Sequence, residues 1–335
     1  MGIELSVIWA VIILFAIMMY IIMDGFDLGL GILYPFFKEK EDRDIIMNTV
    51  APVWDGNETW LVLGGAGLLA AFPLAYAVVL SALYLPVILM LIGLVFRGVA
   101  FEFRFKALEH ERHFWDKAFI GGSIAATFFQ GVTLGAYVQG IAVADRAYAG
   151  QAFDWLSPFS VFTGIGLVAT FALLGSTWLI IKTVGDIQNR AYKITASLSW
   201  ILLGFIMVIS IWTPVSDARI AERWFSFPNI VWFSPVPLLV AVFTYLLMRS
   251  VAARKQNQPF FFTLMLVFLG YSGLGISLWP NIIPPSITIW VAAAPPQSQG
   301  FALVGALFVM PIILVYTAWA YYVFRGKVTQ GDGYH

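Results

Sequence analysis

The chain has 335 residues, of which 60% are hydrophobic and only 11% are charged, and its formal net charge is zero. Soluble domains carry about 25% charged residues, so this composition excludes a soluble globular fold and predicts an integral membrane protein. The apolar runs are long and continuous, which predicts an all-α polytopic fold, whereas a transmembrane β-barrel would show short alternating segments. No basic tract indicates a nucleic-acid partner. The absence of cysteine excludes disulfides, iron–sulfur clusters and cysteine-ligated zinc or haem.

Nine apolar runs are each long enough to cross a hydrocarbon core of about 30 Å as a helix. We expect one membrane domain over residues 1–335. The first run lacks a cationic leader and a small-residue cleavage site, so we expect a retained helix and not a signal peptide. Only the Phe72-Pro73 step separates the second and third runs, and it predicts a tight turn. The spans are predicted at about residues 5–33, 55–72, 74–100, 117–141, 159–184, 195–213, 228–249, 259–279 and 300–324.

The basic residues predict the orientation of these spans. Lysine and arginine accumulate in the cytoplasmic loops of membrane proteins. With nine spans, sixteen of the 19 basic residues fall on one side, and only Arg146, Arg219 and Arg223 fall on the other. This asymmetry predicts an N-terminus outside and a cytoplasmic C-terminus.

Two strings with paired acids lie at the predicted cytoplasmic ends of spans 1 and 2. DGFD contains Asp24 and Asp27, and WDGNETW contains Asp55 and Glu58. An ionisable group at membrane depth costs about 2.5 to 3.5 kcal/mol, so it marks a functional site, and paired carboxyls suit proton or cation handling. For the first pair, the alternative is acids at a water-accessible interface beside glycines that pack helices. For the second, the alternative is a capping box with Asp55 at the N-cap and Glu58 at N3.

Two arginines and the histidines complete the candidate residues. Arg97 and Arg104 are seven residues apart and share one face of span 3, so they could neutralise the acids, or they could extend to the interface. His110 and His113 lie in a charged inner loop, and the third histidine is His335. A haem held in the membrane by two histidines would need a histidine inside a span. We therefore expect no catalytic residue, metal or cofactor in this chain.

The chain resembles subunit II of the cytochrome bd quinol oxidase family. The resemblance runs from the first span to the last, and five ordered motifs make it specific. They are DGFDLGLGIL at residues 24–33, APVWDGNETWL at 51–61, FPLAY at 72–76, FRGVAFEFR at 96–104 and PIILVYTAWAYY at 311–322.

The resemblance implies nine helices in two four-helix bundles plus one peripheral helix, in a bacterial or archaeal-type inner membrane. It implies a partner subunit I that carries haems b and d, with small accessory subunits, quinone and lipid as further partners. The complex would oxidise quinol and reduce O2 to water. In the family the WDGN aspartate, here Asp55, is associated with a proton route. Asp27, Trp54 and Asp24 would support that route, and Glu58 occupies a position that varies in the family.

Two other interpretations stay open. A proton- or cation-coupled secondary transporter would place broken helices and acids near the membrane midplane. A purely structural membrane subunit would use the Asp55 pair only as a helix cap.

Overall fold

A computed structural model describes residues 4–329 of the chain, so His335 lies outside the described residues. Long helices dominate it, and two short antiparallel hairpins lie between them. In chain order the elements are α1 (Leu5–Leu33), a 3-10 turn (Tyr34–Phe36), α2 (Lys40–Asn48), α3 (Trp54–Ala71), α4 (Pro73–Lys106), α5 (Arg112–Gln139), β1 (Val143–Ala144), β2 (Ala147–Tyr148), α6 (Pro158–Lys182), α7 (Gly185–Ser216), α8 (Ala218–Phe225), α9 (Asn229–Phe233), α10 (Pro235–Ala252), α11 (Gln258–Leu278), β3 (Asn281–Ile283), β4 (Ile287–Thr288), α12 (Ile289–Ala292) and α13 (Pro296–Val323).

The all-α polytopic membrane fold is confirmed. Within residues 4–329, eight helices are long and apolar enough to cross a membrane. Helix α3 lies at the place of the second predicted span, 55–72, but it is not among the eight. Its first turns carry Asp55, Asn57 and Glu58, which lower its apolar character. The count of nine spans and their orientation stay predictions.

The helix bounds agree closely with the predicted spans where an apolar run ends at a turn. An example is Phe72, the single residue between α3 and α4. They differ where a helix continues through charged residues. Helix α4 extends to Lys106 and α7 begins at Gly185, because charged side chains end an apolar run without ending a helix. The span predicted at 228–249 is divided into the short α9 and the longer α10.

The long helices form two groups that meet along α6. In the first group, α1 packs against α3 and α5, and α4 packs against α3 and α5. In the second group, α6 packs against α7 and α11, and α10 packs against α7 and α11. Helices α1 and α5 both contact α6 and so join the groups. Helix α13 lies outside both groups and rests against α1 and α3.

Glycine sets the close approach of α1 to α6. A Cβ atom on Gly29 would overlap the backbone oxygen of Phe171, and one on Gly175 would stand 2.6 Å from the carbonyl carbon of Gly29. Small residues at a crossing allow such backbone contact between membrane helices. The glycines of DGFDLGLG therefore pack helices, as one interpretation of the sequence expected, and they also place the neighbouring acids in the interior.

A kink in α4 precedes its polar half. Leu83 has non-helical backbone angles (φ −115°, ψ 18°), and Pro86 lies within the same helix. Proline cannot donate the backbone hydrogen bond that would close this turn, and its ring crowds the preceding turn, so the helix bends there. The part of α4 after the kink carries Arg97 and Arg104.

Candidate proton-handling site

An arginine in α4 joins two carboxyl groups from α1 and α3. The Nη2 atom of Arg97 lies 2.5 Å from Oδ1 of Asp24 and 2.6 Å from Oε1 of Glu58. The side chains of Arg97 and Asp24 have no exposed surface, whereas Glu58 keeps 29% of its side chain exposed. A buried charge is stable only when it is paired and hydrogen-bonded. This ion-pair cluster therefore fixes three helices of the first group together.

A second chain of hydrogen bonds surrounds Asp27. Asn57 donates from Nδ2 to Oδ2 of Asp27 at 2.8 Å and to the backbone oxygen of Met23 at 3.2 Å. The hydroxyl of Tyr321, in α13, donates to Oδ1 of Asn57 at 2.9 Å. Asp27 is completely buried and Asn57 nearly so. The site therefore combines residues from α1, α3 and α13 in addition to Arg97 of α4.

The cluster holds more acids than cations. Asp24 and Glu58 share one guanidinium, that of Arg97, and Asp27 lies three positions after Asp24 on α1. Among the described residues, Oδ2 of Asp24, Oδ1 of Asp27 and two nitrogens of Arg97 have no hydrogen-bond partner. Burial penalises net charge, so a proton on one of these carboxyl groups stabilises the cluster. The arrangement is chemically suited to hold and exchange a proton.

Aromatic rings cover the arginine. The guanidinium carbon of Arg97 lies 5.8 Å from the ring centroids of both Trp54 and Phe101. These two rings stack with a centroid distance of 5.2 Å. Cations are attracted to aromatic faces, more strongly where water is excluded. Trp54 therefore contacts the charge cluster directly, which its place in the WDGNETW string did not by itself require.

A further hydrogen bond, between α5 and α1, extends the polar cluster toward the middle of α1. Gln130 of α5 donates to the hydroxyl of Tyr20 at 2.6 Å, and Tyr20 lies one helical turn before Asp24. Neither residue was singled out from the sequence. No short motif links them, because 110 positions separate them along the chain.

Asp55 lies at the surface and borders a cavity. The cavity has a volume of about 270 Å³, and its lining includes Asp55, Asn57, Glu102 and Tyr321. The predicted capping box is wrong. Helix α3 begins at Trp54 with Val53 as its N-cap, and no side-chain cap hydrogen bond is present there. Asp55 is therefore two positions past the N-cap, and Glu58 pairs with Arg97 instead.

Arg104 does not contact the acids of α1 and α3. It binds Asp116 at 2.6 Å and Asp44 at 2.5 Å, in a separate network at the end of the first group, where Arg43 also binds Asp116 at 2.8 Å. Seven residues of helix span about 10 Å along the axis, so Arg97 and Arg104 share a face but differ in depth. The expectation of a shared partner role therefore fails for Arg104.

The depth of the first acid pair also differs from the expectation. The sequence placed Asp24 and Asp27 at the end of a span with access to water. Asp24 stands nine positions before Leu33, the last residue of α1, which is about 13 Å of helix. Neither aspartate has exposed surface within the described part of the chain. The water-accessible interface alternative is wrong for this pair.

Sequence reasoning missed Asn57 and Tyr321 as partners of Asp27. Asn57 stands inside the WDGNETW string, so its proximity to the acids was a usable signal. Tyr321 offered no such signal, because a tyrosine near the end of a span is typical of the aromatic belt at a membrane interface. Its contact with Asn57 joins positions 264 residues apart.

Within residues 4–329, no group of three or more histidine, aspartate and glutamate residues could hold a metal ion. His110 and His113 lie between α4 and the first turn of α5, and the His110 side chain is 77% exposed. This position offers no membrane-embedded haem ligand.

The comparison with known families decides the class of the protein. The model of the family described as cytochrome bd terminal oxidase subunit II matches residues 5–324. The chain belongs to the cytochrome bd terminal oxidase subunit II family. This subunit II chain is 29% identical to cytochrome bd-I ubiquinol oxidase subunit 2 of Escherichia coli (strain K12), over 98% of this chain and 96% of that protein.

Two further relatives support the assignment. Cytochrome bd ubiquinol oxidase subunit 2 of Bacillus subtilis (strain 168) is 28% identical, over 97% of both chains. A chain in the structure of bd oxidase from Geobacillus thermodenitrificans superimposes with a TM-score of 0.75 at 17% identity, over 96% of this chain and 99% of that chain. At this identity, the likeness to the solved structure shows the shared fold. The chain is thus a subunit of a bd-type terminal oxidase.

Proposed function

We propose that this chain is the haem-free subunit II of an oxidase that oxidises quinol and reduces O2 to water, and that it supplies a cytoplasmic proton inlet. The observation that carries the proposal is the path from the cavity at Asp55, through Asn57, to the buried Asp27 and Asp24. The names of the relatives, which are ubiquinol oxidase subunits, support the choice of substrate for the complex.

In this proposal the redox chemistry belongs to a partner subunit I with haems b and d. The helices of this chain that are apolar enough to span contain no cysteine, and the two described histidines lie near the start of α5. The donor set here therefore does not fit haem in the membrane. The haems of the partner supply O2 reduction, and this chain supplies scaffold and proton access. Quinone, lipid and small accessory subunits are further proposed partners, in a bacterial or archaeal inner membrane.

The proposed arrangement in the membrane has nine spans in two four-helix bundles, with α13 as the peripheral helix. The packing supports it, since α1, α3, α4 and α5 form one group and α6, α7, α10 and α11 form the other. Helix α3, the second long helix in chain order, would be added to the eight to give nine spans. Its polar first turns would lie at the cytoplasmic side, where the cavity opens.

The residues have separate tasks in the inlet. Asp55 is exposed in the cavity and receives protons from cytoplasmic water. Asn57 donates to the carboxylate of Asp27 and so stabilises its charged form. Arg97 offsets the charge of Asp24 and Glu58 and allows acids to stay inside the protein. A proton that reaches Asp27 or Asp24 is then on the way to the partner.

The alternative of a secondary transporter gains no support from the helix that bears the first acid pair. Such proteins place discontinuous helices at their ion sites. Helix α1 is continuous from Leu5 to Leu33 and passes through Asp24 and Asp27 without a break. Family membership favours the oxidase over this alternative.

Replacement of Asp55 by Asn in the assembled oxidase tests the inlet. We expect oxygen uptake to fall at least about ten-fold, because loss of a proton-transfer group typically costs 10² or more and water can replace part of its action. The haem spectrum should stay unchanged. Oxygen uptake and the reduced-minus-oxidised spectrum are measured on the same purified complex.

The matched control is Asp145→Asn. Asp145 has a backbone φ of 47°, in the left-handed region that asparagine also tolerates, and it lies in the turn between β1 and β2. The control should keep normal turnover. Unchanged turnover in D55N would contradict the inlet. A lower yield of complex with normal turnover per haem would instead support the purely structural role.

A further inference from the structure

The last long helix supplies a hydrogen bond to the acid site from a distant part of the chain. Tyr321 donates from its hydroxyl to Oδ1 of Asn57, and Asn57 donates from Nδ2 to Asp27. Among the described residues, the second carboxylate oxygen of Asp27 has no hydrogen-bond partner. The Asn57 amide is therefore the group through which Tyr321 can influence this buried carboxyl group.

The orientation of the Asn57 amide is determined at both of its ends. Its nitrogen faces two acceptors, Oδ2 of Asp27 at 2.8 Å and the backbone oxygen of Met23 at 3.2 Å. Its oxygen faces a donor, the Tyr321 hydroxyl, at 2.9 Å. A primary amide donates only from nitrogen and accepts only at oxygen, so all three bonds form in one orientation alone. A rotation by 180° would turn the amide oxygen toward the Asp27 carboxylate.

Packing fixes the direction of the Tyr321 hydroxyl. The Tyr321 ring meets Phe26 edge-on, with a centroid distance of 6.4 Å, and Trp178 in the same manner at 6.1 Å. Beyond the end of α13, Lys182 donates from Nζ to the backbone oxygens of Phe324 and Gly326. This contact holds the end of a helix that lies outside both groups. The hydroxyl is thus presented to Asn57 by a ring with little freedom.

The same two residues form part of the cavity wall. Tyr321 and Asn57 line the cavity of about 270 Å³ together with Trp54 and Asp55. Asp27 is not among the lining residues, and it lies on the other side of the Asn57 amide. The hydroxyl–amide pair therefore stands between this cavity and Asp27.

We propose that Tyr321 is a positioning residue of the inlet, whose hydroxyl holds the Asn57 amide with its donor toward Asp27. The hydroxyl–amide pair separates the cavity from the Asp27 carboxyl group. It also ensures that Asp27 faces the amide N–H donor of Asn57 and not the amide oxygen. The inference rests on the proposed proton inlet. Tyr321 acts through Asn57 and transfers no proton itself.

Replacement of Tyr321 by Phe in the assembled oxidase tests this role, with Tyr322→Phe as the matched control. We expect oxygen uptake in Y321F to fall about five-fold, which corresponds to the roughly 1 kcal/mol of one net hydrogen bond. Tyr322 is the next residue of α13; the Arg325 guanidinium lies over its ring, and the Trp319 ring lies beside it at a tilt. The phenylalanine variant keeps those ring contacts, so Y322F should retain wild-type uptake.

Infrared difference spectra provide a readout that a merely structural role would not move. The carboxyl and carboxylate bands of Asp27 are identified as those lost in Asp27→Asn. They should shift in Y321F and stay in place in Y322F, because only the first change frees the amide that faces Asp27. In an Asn57→Ala background, Y321F should cause no additional loss of turnover, since the group through which it acts is gone.

The outcomes separate the two proposals. If Asp27→Asn leaves oxygen uptake unchanged, the inlet through Asp27 fails. If Asp27→Asn slows uptake while Y321F behaves as Y322F, only the role of Tyr321 is overturned. Unshifted Asp27 bands in Y321F, or a full additional loss in the Asn57→Ala background, would also overturn it.

Discussion

The two helix groups bury polar side chains in different ways. In the first group, buried residues include Asp24, Asp27, Asn57 and Arg97, whose partners lie on other helices. In the second group, apart from Lys182 at the end of α6, the buried polar residues among those described are serines and threonines.

The hydroxyl groups of the second group are satisfied mostly within their own helices. Thr177, Ser199, Thr244 and Thr263 donate to backbone oxygens three or four residues earlier. Such back-bonding stabilises a polar group in a membrane helix without fixing a neighbour. Inter-helix bonds to charged groups do fix neighbours. The difference agrees with the proposal that the inlet lies in the first group.

The largest expected effect comes from removal of the cation in the first group. Arg97→Gln leaves Asp24 and Glu58 without their guanidinium, and loss of one partner of a buried pair costs about 3 to 5 kcal/mol. We expect a large fall in the yield and thermal stability of the assembled oxidase. The yield is measured by haem content per milligram of membrane, and stability by the midpoint of thermal unfolding.

The matched control restores neutrality. Arg97→Gln combined with Asp24→Asn removes one charge of each sign, so it should recover part of the stability lost in R97Q. A double variant no more stable than R97Q would show that the charge balance is not what holds this cluster together.

A smaller effect is expected from an inter-helix hydroxyl bond of the second group, which joins α6 to α7. Thr195 donates to Oγ of Ser176 at 2.9 Å. Thr195→Val removes this bond, and such bonds average about 0.6 kcal/mol in membrane proteins. We expect a slight drop in the thermal midpoint and normal oxygen uptake per haem. A loss of turnover in T195V would remove the contrast between the two groups.

The smallest effect lies outside both groups, at the start of α8. Hydrogen bonds from the Arg219 side chain hold the pKa of Asp217 below its ordinary value near 3.8. Because the folded-state pKa is depressed, this contribution to stability is present above the unfolded-state value and is lost as pH falls through the folded-state value. The Arg219 side chain is 57% exposed and that of Asp217 is 21% exposed, so solvent screens the pair and it is worth at most about a few tenths of a kcal/mol.

The measurement compares wild type with Asp217→Asn, which keeps an oxygen that can accept the backbone hydrogen bond of Arg219. The difference in thermal midpoint should be small at pH 6 and should vanish near pH 2. A gap that grows toward low pH would contradict the direction of the pKa shift.

The sequence allowed much of this architecture to be predicted, for physical reasons that also mark its limit. Apolar length identifies spans, and the cost of charge in lipid identified Asp24, Asp27, Glu58 and Arg97 as residues in need of partners. Spacing along a helix shows which face a residue occupies but not its position along the helix axis. The predicted pairing of Arg104 with the acids of α1 and α3 was therefore wrong. A capping box at Asp55 needs a helix that begins at residue 56, but α3 begins at Trp54, and this difference of two residues removed the capping box.

Tertiary contacts outside the motifs could not be predicted. The two hairpins have strands of two or three residues, which are too short for a periodic pattern. The bond from Tyr321 to Asn57 depends on where α13 packs, and no local feature of either segment encodes that contact.

The hydrogen bond between Tyr321 and Asn57 also has a consequence for biosynthesis. A ribosome adds about 5 to 20 residues per second, so Asn57 emerges roughly 15 to 50 s before the tyrosine that orients it. Asp24 likewise precedes its arginine by 73 residues. The nascent chain therefore enters the translocon with uncompensated acids, and the geometry of this buried polar cluster is completed only when the last helix has been translated.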